Sequence, residues 1–321
     1  MKLPRREFLH LAAAAAALPS ASRIAAGQSA RALRILVPFP PGAATDFLAR
    51  LLAQQLGHAH GMPAIVENRP GAGSVIGTDA VSRAAPDGNT ILLYSKEAII
   101  NPHVRKVNYD PLTSFEPICR LVTSPIVYSV NKASPYRTFA DLIDAARATP
   151  GTVTVAASGP ASPFQIGLEL LKRVANVDMV FVPFPGGAPA MTAVLGGHVT
   201  SIMTTTSAVY ANAANLRPLA VAARARHATL PEVPTVQEFG YPDYEVDVWY
   251  GLVAPARTPE DTISQLADYF IQAIQVPEVR AKLTVQGLDP AVLGGADFRT
   301  LLRKQYEDYG RIIREAKIKT E

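Results

Sequence analysis

Cysteine and charge are both scarce in this chain of 321 residues, which contains Cys119 as its single cysteine. One thiol excludes an intramolecular disulfide and any zinc site built from several cysteines. Charged side chains are only 18% of the sequence, and the formal net charge is +4. The first thirty residues hold a surplus of three positive charges, so the rest of the chain carries about +1. So small a charge excludes the basic surface that nucleic acid or anionic lipid requires.

Several catalytic motifs are also missing. The sequence has no P-loop, no Gly-x-Ser-x-Gly and no His-Glu-x-x-His, and its histidines lack metal-ligand spacing. The segment Gly71–Gly77 resembles a dinucleotide fingerprint, but Ile76 stands where the third glycine belongs. Cys119 has no partner motif and is expected to be a packed residue. We therefore expect no cofactor, no metal site and no catalytic residue.

The first thirty residues are typical of an export signal. A positively charged head precedes the apolar stretch Phe8–Leu18, and small residues follow. That stretch is too short to span about 30 Å of hydrocarbon. Arg5 and Arg6 with the next three residues fit the twin-arginine pattern. We expect cleavage near Ala26–Ala30 and a mature protein in the periplasm.

Apolar residues make up 48% of the sequence, enough for a sizeable core. Short apolar runs alternate with helical spacing, which predicts an α/β fold with mostly parallel sheets. Strands are expected at 34–37, 64–67, 90–94, 126–130, 153–157, 179–182, 199–203, 219–223 and 246–253. Long helices are expected at 259–275 and 296–316.

One segment occurs twice in closely similar form. Val37–Ala43 reads VPFPPGA, and Val182–Ala188 reads VPFPGGA, 145 residues later. Each copy follows a predicted strand and precedes a predicted helix. Prolines stiffen such a corner, and glycines let a ligand approach the backbone. The repeat therefore predicts two lobes that present similar strand–loop–helix corners.

Four loops share this construction of a strand, small residues and a helix start. They are 41–46, 69–74, 158–162 and 185–189. A helix N-terminus offers unpaired N–H groups and a partial positive charge, which suits an anion without any basic side chain. Ser162-Pro163-Phe164-Gln165 is also a capping-box pattern, so Ser162 has a structural role at least as well supported as ligand binding.

Short motifs along nearly all of the mature chain resemble those of one known family. They occur in order at Val37–Phe39, Val66–Gly73, Ala85–Gly88, Asn101–Pro102, Tyr109–Pro111, Val182–Phe184, Leu195–Gly197, Val233–Thr235, Trp249–Leu252 and Ala254–Pro255. Together they resemble the extracytoplasmic solute receptors of the tripartite tricarboxylate transporter family, also called Bug-type receptors.

The resemblance implies a type II periplasmic-binding-protein fold, with two α/β lobes, a ligand cleft between them and a two-segment hinge. The expected divisions are an export signal at 1–30, a first lobe at 31–127 plus 253–321, and a second lobe at 128–252. The family's ligands are mostly small carboxylates, held by backbone N–H groups, small polar side chains and waters.

Carried over position by position, the resemblance implies eighteen ligand-binding residues. They are Gly42, Ala43, Ala44, Thr45, Asp46, Gly71, Ala72, Gly73, Ser74, Ser95, Ser158, Ser162, Gln165, Phe184, Gly186, Gly187, Thr204 and Thr205. Some family positions differ here: Ala43 replaces a glycine, Ser74 replaces another, and a histidine usual near Gln165 is missing. Lys96 stands where a small residue is more usual, and we expect it to point to solvent. These departures leave the identity of the ligand open.

The function implied is capture of a small organic anion by a monomeric receptor. A membrane permease or a sensor kinase would then read the closed form. The alternative is a periplasmic hydrolase on the same scaffold, using Ser158 or Ser162 as nucleophile. That reading requires a base within hydrogen-bond reach of the serine.

Overall fold

The computed structural model describes residues 32–160 and 162–318, so the export signal expected at 1–30 lies outside the described residues. The strands in this part of the chain are β1 (Leu33–Val37), β2 (Ala64–Asn68), β3 (Thr90–Ser95), β4 (Phe115–Asn131), β5 (Thr154–Ser158), β6 (Val180–Phe184), β7 (Ser201–Thr205), β8 (Leu216–Val221), β9 (Asp247–Pro255) and β10 (Asp289–Gly294). The helices are α1 (Ala44–His60), α2 (Val75–Ser82), α3 (Lys96–Val104), α4 (Phe139–Ala148), α5 (Pro163–Ala175), α6 (Gly187–Leu195), α7 (Thr206–Ala211), α8 (Glu260–Gln275), α9 (Pro277–Val285) and α10 (Gly295–Glu315). A bilayer could not be crossed by any helix within these residues, because each is too short or too polar.

Helix α1 shows how the sequence pattern builds these elements. Leu48, Leu52 and Leu56 recur every four residues, and all three are fully buried on one helix face. Gly61 ends the helix in the left-handed conformation, with φ of 60°, and its N–H returns to the carbonyl of Gly57. The helix therefore covers one side of the sheet and stops at a fixed point.

The strands form a mixed sheet with two parallel cores, one in each half of the molecule. The first core has the order β2–β1–β3, and the second has the order β6–β5–β7. Strands β4, β8, β9 and β10 pair antiparallel with their neighbours. The prediction of mostly parallel sheets is correct for the two cores and wrong for the strands that join them, because β4 pairs antiparallel with four other strands.

We define the first lobe as the half containing β1–β3, and the second lobe as the half containing β5–β8. The first sheet is covered by α1, α8 and α9 on one face and by α2, α3 and α10 on the other. The second sheet is covered by α4 and α5 on one face and by α6 and α7 on the other. Each lobe thus has the three-layer α/β arrangement that buries both faces of a parallel core.

Cys119 and Trp249 belong to the first lobe's core. Cys119 is fully buried, and burial raises the pKa of its thiol to about 12, so it is a packed residue as expected. Trp249 is also fully buried, and its indole N–H donates to Gln305 at 2.8 Å. Neither side chain is placed for contact with a ligand.

The chain passes between the lobes at two adjacent points. Strand β4 pairs with β9 up to Pro125 and with β7 from Ile126 onward. On the return, the N–H of Val246 bonds to Ala222 in the second lobe, whereas Asp247 pairs with Pro125 in the first. These two crossings are the places where the described chain passes from one lobe to the other.

Further contacts join the lobes on either side of the crossings. On one side, Ile166 of α5 packs in an apolar cluster with Ile100 of α3 and Ile312 of α10. On the other side, Thr206 donates to the carbonyl of Gly287 at 3.3 Å. His227 Nε2 also lies 2.7 Å from a carboxylate oxygen of Asp289. The two lobes therefore contact each other on both sides of the crossings.

Candidate ligand-binding site

The strand register brings the loops of the two lobes toward the same place. Through residues 115–125, β4 runs parallel to β3, because both are antiparallel to β9. It therefore leaves the first sheet at the edge where β1, β2 and β3 end. In the second sheet Ile126 pairs with Thr205, the last residue of β7, so β4 enters where β5, β6 and β7 end. The carboxyl ends of both parallel cores thus converge at the crossing.

The loop after β1 is braced by its own acidic residue. One carboxylate oxygen of Asp46 accepts bonds from the Gly42 N–H and from Arg50 Nε, both at 3.0 Å. Asp46 is only 5% exposed. Burial alone would raise the pKa of Asp46, but the bonds from Arg50, Gly42 and Asn68 lower it below its ordinary value. Asp46 thus stays ionised and fixes the loop.

The backbone N–H groups at the start of α1 are unbonded within the described residues. The helix begins after Ala43 without a side-chain cap, and the N–H groups of residues 43–46 make no hydrogen bond with any described residue. Thr45 is buried, and its hydroxyl likewise has no hydrogen-bond partner among the described residues. This helix start therefore keeps the donors that an anion would need.

The loop after β2 has a strained backbone that is held from behind. Its four residues Gly71, Ala72, Gly73 and Ser74 all have positive φ, between 47° and 134°. Asn101 donates to the carbonyl of Gly73 at 2.8 Å, and Arg105 donates to that of Ala72 at 3.3 Å. The acceptors of the loop are therefore bound within the lobe, whereas its N–H groups bond to no described residue.

Lys96, which follows the end of β3, is placed differently from what the sequence predicted. Its side chain was predicted to point to solvent, but it is only 4% exposed. Its ammonium group pairs with the Asp247 carboxylate and donates to the Asp247 carbonyl at 2.8 Å. Burial would lower the pKa of Lys96, but the Asp247 charge and the Tyr309 hydroxyl raise it above its ordinary value. Lys96 is therefore a charged residue that binds the segment around Asp247, where the chain returns to the first lobe.

Ser95, which precedes this lysine, is 1% exposed. Its hydroxyl has no hydrogen-bond partner among the described residues. The same is true of Ser124, which lies in β4 just before the first crossing. A buried hydroxyl without a partner carries a free-energy penalty, so the Ser124 hydroxyl is available to a polar ligand or a water. Burial raises the pKa of the Glu97 carboxylate, and the Ser95 hydroxyl lies close enough to that carboxylate to oppose the rise.

In the second lobe, two predicted loops are joined directly. The N–H of Gly159, which follows Ser158, bonds to the carbonyl of Phe184 at 2.9 Å. Helix α6 begins after Gly186 without a side-chain cap, and Gly186 has φ of 147°. Gly187 is exposed, and a Cβ built on it would meet no atom within 4 Å. The corner is therefore open in front of the helix start.

The hydroxyls after β7 have two different environments. Thr204 is buried beside β4, where it pairs in register with Val127. Thr205 is half-buried, and its hydroxyl lies 3.1 Å from that of Ser207. Both threonines stand at the converging strand ends.

Ser162 carries out the capping role that its sequence pattern indicates. Its hydroxyl accepts a bond from the Gln165 N–H at 3.4 Å, and Pro163 occupies the first turn of α5. We expect Ser162→Ala to lower the free energy of unfolding by about 1 kcal/mol, because the cap is lost. Urea denaturation measures this change, and Ser162→Thr, which keeps a hydroxyl, should recover most of it. A Ser162→Ala variant as stable as the parent would contradict the capping role.

The structure offers no support for a hydrolase. Among the described residues, no hydrogen bond joins Ser158 or Ser162 to a histidine, lysine or carboxylate. Within the same residues, no group of three His, Cys, Asp or Glu is arranged to hold a metal ion. The structure instead leaves backbone N–H groups without a partner among the described residues, in loops that follow the converging strand ends of both lobes.

Comparison with known proteins shows the class to which the chain belongs. The family model described as the tripartite tricarboxylate transporter family receptor matches residues 48–318. A protein encoded in the tcbD–tcbE intergenic region of Pseudomonas sp. strain P51 is 33% identical, covering 90% of this chain and 87% of the relative. Protein BugT of Bordetella pertussis is 32% identical, covering 90% of this chain and 91% of BugT.

Solved structures show the same fold. The Rhodopseudomonas palustris protein Rpa4515, solved with adipate, is 28% identical with a TM-score of 0.82, covering 92% of this chain and all of that one. The periplasmic binding protein BugD is also 28% identical, with a TM-score of 0.78 and coverage of 91% and 99%. MatC from Rhodopseudomonas palustris, solved with bound malate, is 27% identical with a TM-score of 0.73 and coverage of 89% and 99%.

The chain therefore belongs to the tripartite tricarboxylate transporter receptor family. The predicted two-lobe periplasmic-binding-protein fold is confirmed. The chain is accordingly a solute-binding receptor and not an enzyme, as expected from the sequence.

Proposed function

We propose that this receptor binds a small carboxylate between its lobes in the periplasm and delivers it to a membrane permease or reports it to a sensor kinase. The observation that carries the proposal is the set of unbonded N–H groups at the helix starts after β1, β2 and β6, where the two parallel cores converge. The solved relatives with adipate and malate support a carboxylate as the ligand class.

The proposed contacts are the residues that the family motifs indicate. In the first lobe they are Gly42, Ala43, Ala44, Thr45, Asp46, Gly71, Ala72, Gly73, Ser74 and Ser95. In the second lobe they are Ser158, Ser162, Gln165, Phe184, Gly186, Gly187, Thr204 and Thr205. The bonds already made by Asp46 and Ser162 favour a supporting role for these two side chains.

We also propose a division into two lobes, for which the family motifs indicate the boundaries 31–127 plus 253–321 and 128–252. The change of strand partner between Pro125 and Ile126 supports the first boundary. The pairing of β9 with β3 and β4 favours a second boundary nearer to Asp247 than to Val253. The proposed periplasmic location is supported by the export signal expected at 1–30 and by the periplasmic relatives.

Titration calorimetry with malate, succinate, adipate, glutamate and glucose tests the ligand class. We expect at least one carboxylate to bind and glucose not to bind. Gly187→Val should weaken the tightest of these carboxylates by about tenfold or more, because the side chain enters the open space before α6.

Gly57→Val is the matched control for this substitution. Gly57 also has no atom within 4 Å of an added Cβ, but it lies near the end of α1, away from the strand ends. Its variant should bind like the parent. If both variants bind with equal affinity, Gly187 does not belong to the ligand-binding site. Binding of glucose alone would contradict a carboxylate ligand.

A further inference from the structure

Glu97 is a carboxylate at the converging strand ends that the family motifs do not account for. It lies in the first turn of α3, two residues after the buried Ser95 that ends β3. Its side chain is half-buried. Among the described residues no cationic group forms an ion pair with it, because the adjacent Lys96 is bound to Asp247.

The helical spacing shows which way Glu97 faces. Glu97, Ile100 and Val104 recur at intervals of three and four residues, so they share one face of α3. Ile100 and Val104 pack in a cluster with Ile312 and Ile313 of α10 and with Ile166 of the second lobe. Glu97 therefore lies on the face of α3 that meets both α10 and the second lobe, one turn closer to the strand ends, and burial together with the charge of Glu97 raises the pKa of Tyr309 in α10.

The neighbours of Glu97 place it beside the end of β3. Tyr250 pairs in register with Ser95, and burial together with the charge of Glu97 raises the pKa of Tyr250. Burial also raises the pKa of Glu97 itself, against the opposing effects of the Ser95 hydroxyl, the Glu97 N–H and Lys96. The ionised carboxylate is thus poorly compensated where it stands.

A second negative charge brought next to such a group would be repelled. An ammonium group brought to the same place would instead form a charge-assisted hydrogen bond and remove the cost of an unpaired, half-buried carboxylate. The unbonded N–H groups of the loops can donate hydrogen bonds to a carboxylate of the ligand, whereas Glu97 can pair with a cationic group of the ligand. The backbone donors and the Glu97 carboxylate together favour a ligand that carries both a negative and a positive charge.

We propose that Glu97 selects a ligand that carries an ammonium group as well as a carboxylate, an amino acid or a similar zwitterion. The inference rests on the proposed function, since it narrows the ligand class of the same cleft. It assigns Glu97 as a specificity-determining residue.

Titration calorimetry on the purified full chain tests this with two ligand pairs that differ only in the amino group. The pairs are glutamate with glutarate and aspartate with succinate. We expect the amino acid of at least one pair to bind about tenfold tighter, the range of one charge-assisted hydrogen bond. In Glu97→Gln this preference should fall below about threefold or reverse, because the amide has no charge to pair with ammonium.

Glu307→Gln is the matched control, because Glu307 is an exposed residue of α10 and the change in charge is the same. It should keep the parental preference. A parent protein that binds the dicarboxylates as tightly as the amino acids would overturn the inference and leave the proposed carboxylate receptor intact. A Glu97→Gln variant with the full preference would also overturn it, whereas a parent that binds no carboxylate at all would contradict both proposals.

Discussion

Replacing Asp247 by alanine is expected to lower the free energy of unfolding by about 3 to 5 kcal/mol. The substitution removes the carboxylate that pairs with Lys96, whose side chain is almost completely buried. The Asp247 carbonyl, the neighbouring Tyr309 and the charge of Glu97, which makes no ion pair with Lys96, would then remain near the ammonium group. An ammonium group without its counter-charge must either lose its proton or draw water into the crossing, and both cost free energy. Urea denaturation measures the loss.

Asp308→Ala provides the comparison for this variant. Asp308 also pairs with two cations, Lys304 and Arg311, but both are more than half exposed. An exposed pair contributes about 1 kcal/mol or less, so this loss should be small. If the two alanine variants are equally stable, Lys96 does not depend on Asp247. A double variant, Lys96→Met with Asp247→Leu, should recover most of the stability, because neither charge is then left unpaired.

The same ion pair shows where sequence reasoning fails. Lys96 and Asp247 are 151 residues apart, and no motif connects them. A lysine after a strand end is usually solvated, and only the pairing of β3 with β9 brings an acid beside this one. The burial of Lys96 is therefore a consequence of tertiary structure that no local pattern contains.

The parallel cores could be predicted because each of their strands is a short apolar run between turn signals. Strand β4 is different, since only the run 126–130 was predicted, whereas the strand begins at Phe115. Pro117, Arg120 and Pro125 interrupt the apolar pattern of its first half. Neighbouring strands on both sides nevertheless stabilise it, which is the tertiary context that strand propensity omits.

Strand β10 was not predicted for a related reason. It reads DPAVLG, and a proline near its start with a glycine at its end argues against a strand when the sequence is read alone. It lies at the edge of the first sheet, paired with β4, where a proline is tolerated. The glycine-rich loops were predicted more successfully, because glycine and proline determine the backbone locally.

The second large effect is expected for Gly287→Ala, at a contact between the lobes. Gly287 has φ of 62°, and an added Cβ would lie 2.5 Å from the Ser207 N and 2.6 Å from the Thr206 hydroxyl oxygen. Gly287 belongs to the first lobe and the other two residues to the second, so the methyl group would push the lobes apart. If the ligand requires the lobes in contact, its affinity should fall by about tenfold or more, because the competent arrangement becomes a minor population. Titration calorimetry with the tightest carboxylate measures this loss.

Gly197→Ala separates this effect from backbone strain. Gly197 has a similar φ of 73°, but an added Cβ there meets no atom within 4 Å. Both variants should lose about 1 kcal/mol of stability, because alanine is disfavoured in the left-handed region. Only Gly287→Ala should also lose affinity and show a larger radius of gyration in solution scattering without ligand. A Gly287→Ala variant that binds like Gly197→Ala would mean that the Thr206–Gly287 contact is not needed for binding, and that the lobes take the ligand in another arrangement.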